Sequence, residues 1–242
     1  MQQDMNDMVI NVKSVSKAFD TRNVLRDIAI DISTGQAVLI CGINGAGKTT
    51  LLRIIAGLLQ PDIGSVKLCG YNIQKDPEKA KSQFGMISHK SMVYPELTVL
   101  ENLSFFARLY GVKDSDANIT KLLQDVGLFS YRYDTASILS RGLLQRLAIA
   151  RAMVHEPTLL LADEPFTGLD AKACHHLITV LTEFTNNGGT IVMTTHDIDI
   201  GLQCCNRVVV LDKSNLIFDA RTSDIDTERF LKDYISYARS ET

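Results

Sequence analysis

Gly42-Ile43-Asn44-Gly45-Ala46-Gly47-Lys48-Thr49 decides the reading of this chain because of what stands on either side of it. Before it, Gln36–Cys41 (QAVLIC) is a short apolar run with strand character; after it, Lys48–Leu59 has helical periodicity. Strand, glycine-rich loop and helix form the context in which the pattern G-x-x-x-x-G-K-[ST] cradles phosphate. Glycines let the backbone curl until successive N–H groups face one anion. The helix starting near Lys48 adds the positive end of its dipole. Lys48 supplies a full charge for the β- and γ-phosphates, and Thr49 offers a hydroxyl to Mg²⁺.

A second signal lies far downstream. Leu159-Leu160-Leu161-Ala162-Asp163-Glu164 is an apolar strand ending in carboxylates. Asp163 places a hard oxygen where Mg²⁺ beside a phosphate site needs one. Glu164 follows at once, so the chain can turn its carboxylate toward the γ-phosphate and orient or deprotonate a water. These two motifs say nucleotide hydrolase and leave a kinase, a small GTPase and an ABC ATPase open.

Further strands read at Gln83–Ile87, Thr158–Ala162, Thr190–Thr194 and Arg207–Leu211, several of them apolar without alternation, as in strands covered on both faces. Helical patterns alternate with them at Ala171–Thr185 and Ile198–Cys204, which predicts an α/β sheet of largely parallel strands. LDKSNLIF reads as a hairpin. From Leu97 to His155 the pattern is mainly helical, with a capping box at Thr98 and Glu101 and another helix beginning at Ser140. Residues 226–242 read as a short amphipathic helical tail. Met86, Met92 and Met153 read as packing residues.

Composition sets the outer limits. The chain has 242 residues, 45% apolar and 22% charged, so it can bury a core, and neither disorder nor collagen-like repetition is its main character. Lys and Arg number 25 against 28 Asp and Glu, a net charge of −3, which gives no global basic field for nucleic acid. The five cysteines match no disulfide framework, C-x-x-C pair or zinc pattern, and a reduced intracellular compartment is the simpler reading. Cys204-Cys205 and His175-His176 read as incidental helix residues. No stretch approaches the ~18 apolar residues of a membrane span, so any membrane work requires another chain.

Leu139-Ser140-Arg141-Gly142-Leu143-Leu144-Gln145-Arg146, Thr167-Gly168-Leu169-Asp170 and the histidine of TTHD complete the set. In order and kind, these motifs closely resemble the ATP-binding-cassette (ABC) ATPase family from about Val9 to Asp219. The resemblance implies an α/β fold, a RecA-like P-loop NTPase core with an inserted helical subdomain and a small antiparallel β portion near the N-terminus. One domain would run over 8–225, with the core about 8–88 and 156–225 and the helical part about 89–155. It implies that Gly42, Ile43, Asn44, Gly45, Ala46, Gly47, Lys48, Thr49 and Thr50 hold the phosphates of ATP. Thr49 and Asp163 would place Mg²⁺, Glu164 would activate water, and His196 would contact the γ-phosphate. Phe19 lies where the family stacks an aromatic ring on adenine; a core phenylalanine is the alternative.

Ser140 and Gly142 resemble the signature residues that cap the ATP of a second, identical subunit, and Asp170 the aspartate linking the two sites. By itself the Ser140 segment is an N-capped helix start that can bind an anion. Partners implied are ATP, a second cassette and integral membrane subunits, with no nucleic acid, at the cytoplasmic face of the membrane. The surface between His89 and Phe106 would receive the membrane subunit, with Tyr94, Pro95, Phe105 and Phe106 as its patch unless the phenylalanines are core. A soluble ABC ATPase of complex or cluster assembly, and a regulatory binder using ATP only to dimerise, are the competing functions. Glu164, Asp163 and His196 argue against the last.

Two departures from the family pattern stand out. The usual L-S-G-G-Q has Arg141 and Leu143 at its third and fifth positions here. His89 stands where the family has a glutamine whose carbonyl reaches Mg²⁺ and the attacking water, so the resemblance implies that catalytic role for His89. Ser88-His89, Tyr94–Gly111 and Leu139–Ala152 look like the ATP-binding subunits of haem exporters of cytochrome c maturation, while drug, lipid and polysaccharide exporter ATPases share most of the same residues.

Neutral histidine accepts a hydrogen bond through a ring nitrogen, whereas protonated histidine only donates. ATPase activity is therefore predicted to fall as pH drops through the His89 titration. A pH–rate profile identical in wild type and His89→Gln counts against that role.

Overall fold

The computed structural model describes residues 7–88 and 91–240, with side chains through Tyr237. His89 lies outside the described residues. Two long strands open the fold, β1 (Met8–Phe19) and β2 (Arg22–Ser33). β3 (Ala37–Cys41) follows, and the glycine loop joins it to α1 (Lys48–Ile55). β4 (Ile63–Leu68), β5 (Tyr71–Asn72), α2 (Pro77–Lys81) and β6 (Phe84–Ile87) complete the first part. A helical stretch comprises α3 (Val99–Leu109), α4 (Ser115–Asp125) and α5 (Arg141–Met153). The chain then returns through β7 (Leu159–Asp163), α6 (Ala171–Asn186), β8 (Thr190–Thr194), α7 (Ile198–Cys204), β9 (Arg207–Asp212), β10 (Asn215–Arg221) and α8 (Thr227–Ser240).

Six strands form one sheet in the order β10-β9-β3-β8-β7-β6. All its pairings are parallel except β9 with β10. β3, β7 and β8 are buried at every residue, which is why their sequences lack alternation. Because β3, β8 and β7 are neighbours in register, their carboxyl ends meet on one edge. Gly42, Asp163 with Glu164, and Thr195 with His196 all leave the sheet there, where open parallel sheets bind ligands.

The antiparallel portion is larger than the sequence showed. β1 and β2 span 12 residues each and, with β4 and β5, form a four-stranded sheet in the order β2-β1-β4-β5. Its inner face shares a core with α1 and with one face of the large sheet. The other face of the large sheet packs with the helices from α3 to α7.

Local chemistry sets the element ends. Thr98 Oγ1 accepts from Glu101 N–H and the Glu101 carboxylate accepts from Thr98 N–H, so the capping box of α3 is present. Ser140 Oγ caps α5. α1 ends four residues before the predicted Leu59. Gly57, at φ +65°, donates to the Ile54 carbonyl, and Leu58 N–H donates to that of Arg53, a Schellman termination. Met86 and Met153 pack against the cores as expected, but Met92 is exposed at positive φ, so its packing assignment is corrected.

β6 and α5 approach closely at Gly85, where a Cβ would lie 2.0 Å from the Ala152 carbonyl oxygen. Arg151 Nη2 also donates to the Met86 carbonyl. Gly85→Ala is expected to cost about 1–3 kcal/mol by overpacking. A denaturation midpoint equal to wild type shows instead that strand and helix separate freely.

Candidate active site

The shape of the glycine loop is set by its glycines. Gly42, Gly45 and Gly47 have φ of +153°, +82° and +105°. At Gly42 a Cβ would lie 2.3 Å from the Leu211 carbonyl oxygen, and at Gly47 one would lie 2.6 Å from that of Val24. Glycine is therefore required at both ends of the loop, to let it pass between β9 and β2. Lys48 is buried at the start of α1, and its ammonium donates to the carbonyls of Gly42 (2.8 Å) and Ile43 (3.1 Å). Burial pulls its pKa below the ordinary lysine value, opposed by Glu164, Cys41 and Asp163.

Thr49 points at the end of β7. Its hydroxyl donates to Asp163 Oδ1 at 3.0 Å, and the Thr194 hydroxyl donates to the same oxygen at 2.7 Å. The next residue, Glu164, adopts a positive φ of +53°, uncommon for a side chain of this size. Its N–H is held by Thr194, through the carbonyl at 3.0 Å and the hydroxyl at 3.2 Å. Glu164 Oε2 in turn meets His196 Nδ1 at 2.7 Å and accepts from the His196 N–H at 3.2 Å. Lys48, Thr49, Asp163, Glu164 and His196 are thus linked through short contacts and shared charge at one sheet edge.

Above them opens a cleft of about 640 Å³ lined by Phe19, Arg22, Asn44, Lys48, Thr50 and Glu164, among others. That volume lies within the range of small-molecule sites. Phe19 is 47% exposed on its wall, so it is not a core residue. Lys17 Nζ lies 5.5 Å from the centre of its ring. Arg22, which the sequence gave no reason to single out, extends over the loop: a Cβ on Gly45 would lie 3.2 Å from Arg22 Nη2. A guanidinium facing a glycine-rich loop suits a phosphate. Only its place three residues after Phe19 signals it in the sequence.

Mg²⁺ takes one or two protein oxygens and completes its shell with phosphate oxygens and water. Thr49 Oγ1 and Asp163 Oδ1, side by side, suit that requirement. Among the described residues no cluster of three or more His, Cys, Asp and Glu side chains could hold a metal alone.

Ser140, Gly142 and Asp170 do not line this cleft. They gather elsewhere, at the amino ends of α5 and α6. Ser140 Oγ accepts from Leu143 N–H at 3.4 Å, and Asp170 Oδ1 from Ala173 N–H at 2.7 Å. Gly142 faces Ala173, and the Arg141 guanidinium covers Gly168 so closely that a Cβ there would lie 2.2 Å from its central carbon. The unusual signature arginine is thus packed against the segment containing Asp170.

Tyr94, Phe105 and Phe106 form an aromatic cluster with centroid distances of 4.9–6.0 Å. Tyr94 and Phe105 are exposed, whereas Phe106 packs partly against the core. Among the described residues no helix is long and apolar enough to cross a membrane.

Replacing the Thr194 hydroxyl by a methyl removes a donor from a buried carboxylate and an acceptor from Glu164 N–H. Thr194→Val is expected to cost about 1.5–3 kcal/mol, measured by chemical denaturation. A variant as stable as wild type shows that Thr49 alone satisfies Asp163.

Known proteins resemble this chain in sequence and fold. The ABC transporter family model matches residues 25–167. The Nod factor export ATP-binding protein I of Cupriavidus metallidurans is 33% identical over 223 residues, covering 91% of this chain and 74% of that protein. The solved ATP-binding subunit of an ABC transporter is 31% identical with a TM-score of 0.84, covering 92% of this chain and 94% of that one. An ATP-binding cassette solved as a dimer in a post-hydrolysis state, bound to ADP and Pi, is 27% identical with a TM-score of 0.79, covering 88% and 98%.

Proposed function

The chain belongs to the ABC transporter ATP-binding family, and we propose from this that it hydrolyses ATP between two copies of itself to drive a membrane exporter. The convergence of Lys48, Thr49, Asp163, Glu164 and His196 at one sheet edge carries the reading. Adenine lies along Phe19, and the phosphates lie in the loop from Gly42 to Thr50. An incoming phosphate competes with the Gly42 and Ile43 carbonyls for the Lys48 ammonium. Thr49 and Asp163 would hold Mg²⁺, which would supply neutralising charge to the phosphates. Glu164 receives the proton of the attacking water, and His196 contacts the γ-phosphate and, through Nδ1, steadies the Glu164 carboxylate.

Within one chain the Ser140–Gly142 helix start takes no part in lining the cleft. A second copy turned head to tail supplies those residues, and Asp170 links the two sites. The relative solved as a dimer bound to ADP and Pi supports the presence of a second copy. Membrane subunits dock on Tyr94, Phe105 and the adjoining apolar groove of Leu97, Phe105 and Leu109 at the cytoplasmic face. Export is supported by the Nod factor relative. Haem, for cytochrome c maturation, is the narrower cargo reading, supported by the resemblance of Ser88-His89 and Tyr94–Gly111.

Glu164→Gln is expected to keep ATP binding and accumulate an ATP-bound dimer in size-exclusion chromatography. Turnover should fall by a factor on the order of 10²–10⁴. Near-normal turnover removes Glu164 from its role.

A further inference from the structure

The phosphate loop has a partner far from any of its motifs. The Gly42 N–H donates to the hydroxyl of Tyr234, 3.0 Å away, across 192 positions of sequence. Tyr234 lies on α8, whose inward positions Phe230, Leu231 and Tyr234 pack on the core beneath the large sheet. The Phe230 ring stacks between Phe218 of β10 (5.5 Å) and Tyr234 (6.2 Å), and α8 also packs on α7. The hydroxyl is therefore held on a fixed scaffold. Burial pushes its pKa up to about 12, so it stays neutral.

Gly42 is the residue at which β3 turns into the loop, and it is gripped on three sides. The Leu211 carbonyl lies where a side chain would stand, Lys48 Nζ binds its carbonyl oxygen, and Tyr234 binds its N–H. Of the two hydrogen bonds, the one from Lys48 uses the cation for which a phosphate competes. The one to Tyr234 involves no charged group and is independent of that exchange. A buried N–H that loses its partner costs the desolvation of the group, so the bond favours one orientation of the Gly42 peptide.

We propose that Tyr234 is a positioning residue of the nucleotide site: through the Gly42 N–H it holds the phosphate loop in its phosphate-ready shape, and it makes the docking of α8 a determinant of ATP affinity. The inference rests on the reading of the loop as the ATP site. Any event that lifts α8 from the core then weakens nucleotide binding without touching a residue that contacts nucleotide.

The test is Tyr234→Phe, which keeps the ring and removes only the hydroxyl. Wild type, Tyr234→Phe and Lys48→Ala are compared as full chains by ATP titration, steady-state ATPase assay and thermal unfolding. The expected result is a rise of about three- to tenfold in Kd and KM for ATP, as for the loss of one hydrogen bond, with kcat near wild type and a fall in Tm of only about 2–4 °C, as the loss of one buried hydrogen bond entails. Amide exchange at Gly42 should accelerate while β8 stays protected. Wild-type affinity in Tyr234→Phe overturns the proposal, and so does a fall in Tm with unchanged KM, which makes the hydroxyl merely structural. Wild type that binds no ATP, or binds it as well after Lys48→Ala, overturns the reading of the loop itself.

Discussion

One hydrogen bond ties the two halves of the nucleotide site together. Thr49 and Asp163 are 114 positions apart and belong to different strand–helix units, yet the hydroxyl of one rests on the carboxylate of the other. That contact requires β3 and β7 to lie on either side of β8 with their ends level. Thr194, at the end of β8, donates to the same oxygen and closes the alignment. Hydrophobic burial assembles the sheet, but it is indifferent to small slips along the strands. A buried carboxylate is not, because it must have its donors. The polar cluster therefore fixes the register with which the proposed catalytic groups face the cleft.

The large sheet was legible because its strands are buried on both faces, so that runs such as Thr190–Thr194 read as continuous apolar segments. The antiparallel sheet was legible only through family resemblance. β1 and β2 are interrupted by register shifts between Met8 and Ala18, and Ser14 and Asp27 sit at positive φ within them. Each bulge resets the alternation, so no single period of two runs through all 12 residues, although Ile28, Ile30 and Ile32 of β2 alternate with exposed Ala29 and Asp31. The helix end at Gly57 was written in the sequence, but the apolar Leu58 and Leu59 prolonged the pattern past it. They close the termination instead of extending the helix.

The site divided along similar lines. The residues of the glycine loop and of β7 carry their chemistry at fixed spacing and can be found without a fold. Phe19 could not be told from a core residue until its ring was seen on the cleft wall. Arg22 is signalled only by its place after Phe19, and Tyr234 by no local pattern, since their relation to the loop exists in three dimensions. Arg141, odd in its motif, is accounted for in part by the side-chain-free surface of Gly168 that it covers.

The close approach at Gly85 has a mechanical meaning. With no side chain between β6 and α5, their backbones bear directly on each other, and the Arg151–Met86 contact adds a second rivet. Flexible side chains would act as a cushion; here there is none. α5 is 13 residues long, a rod of about 20 Å, with Ser140 at its far tip. The joint at Gly85 stands where a fulcrum would, and a displacement at the end of β6 would reach that tip with little side-chain material between them to absorb it.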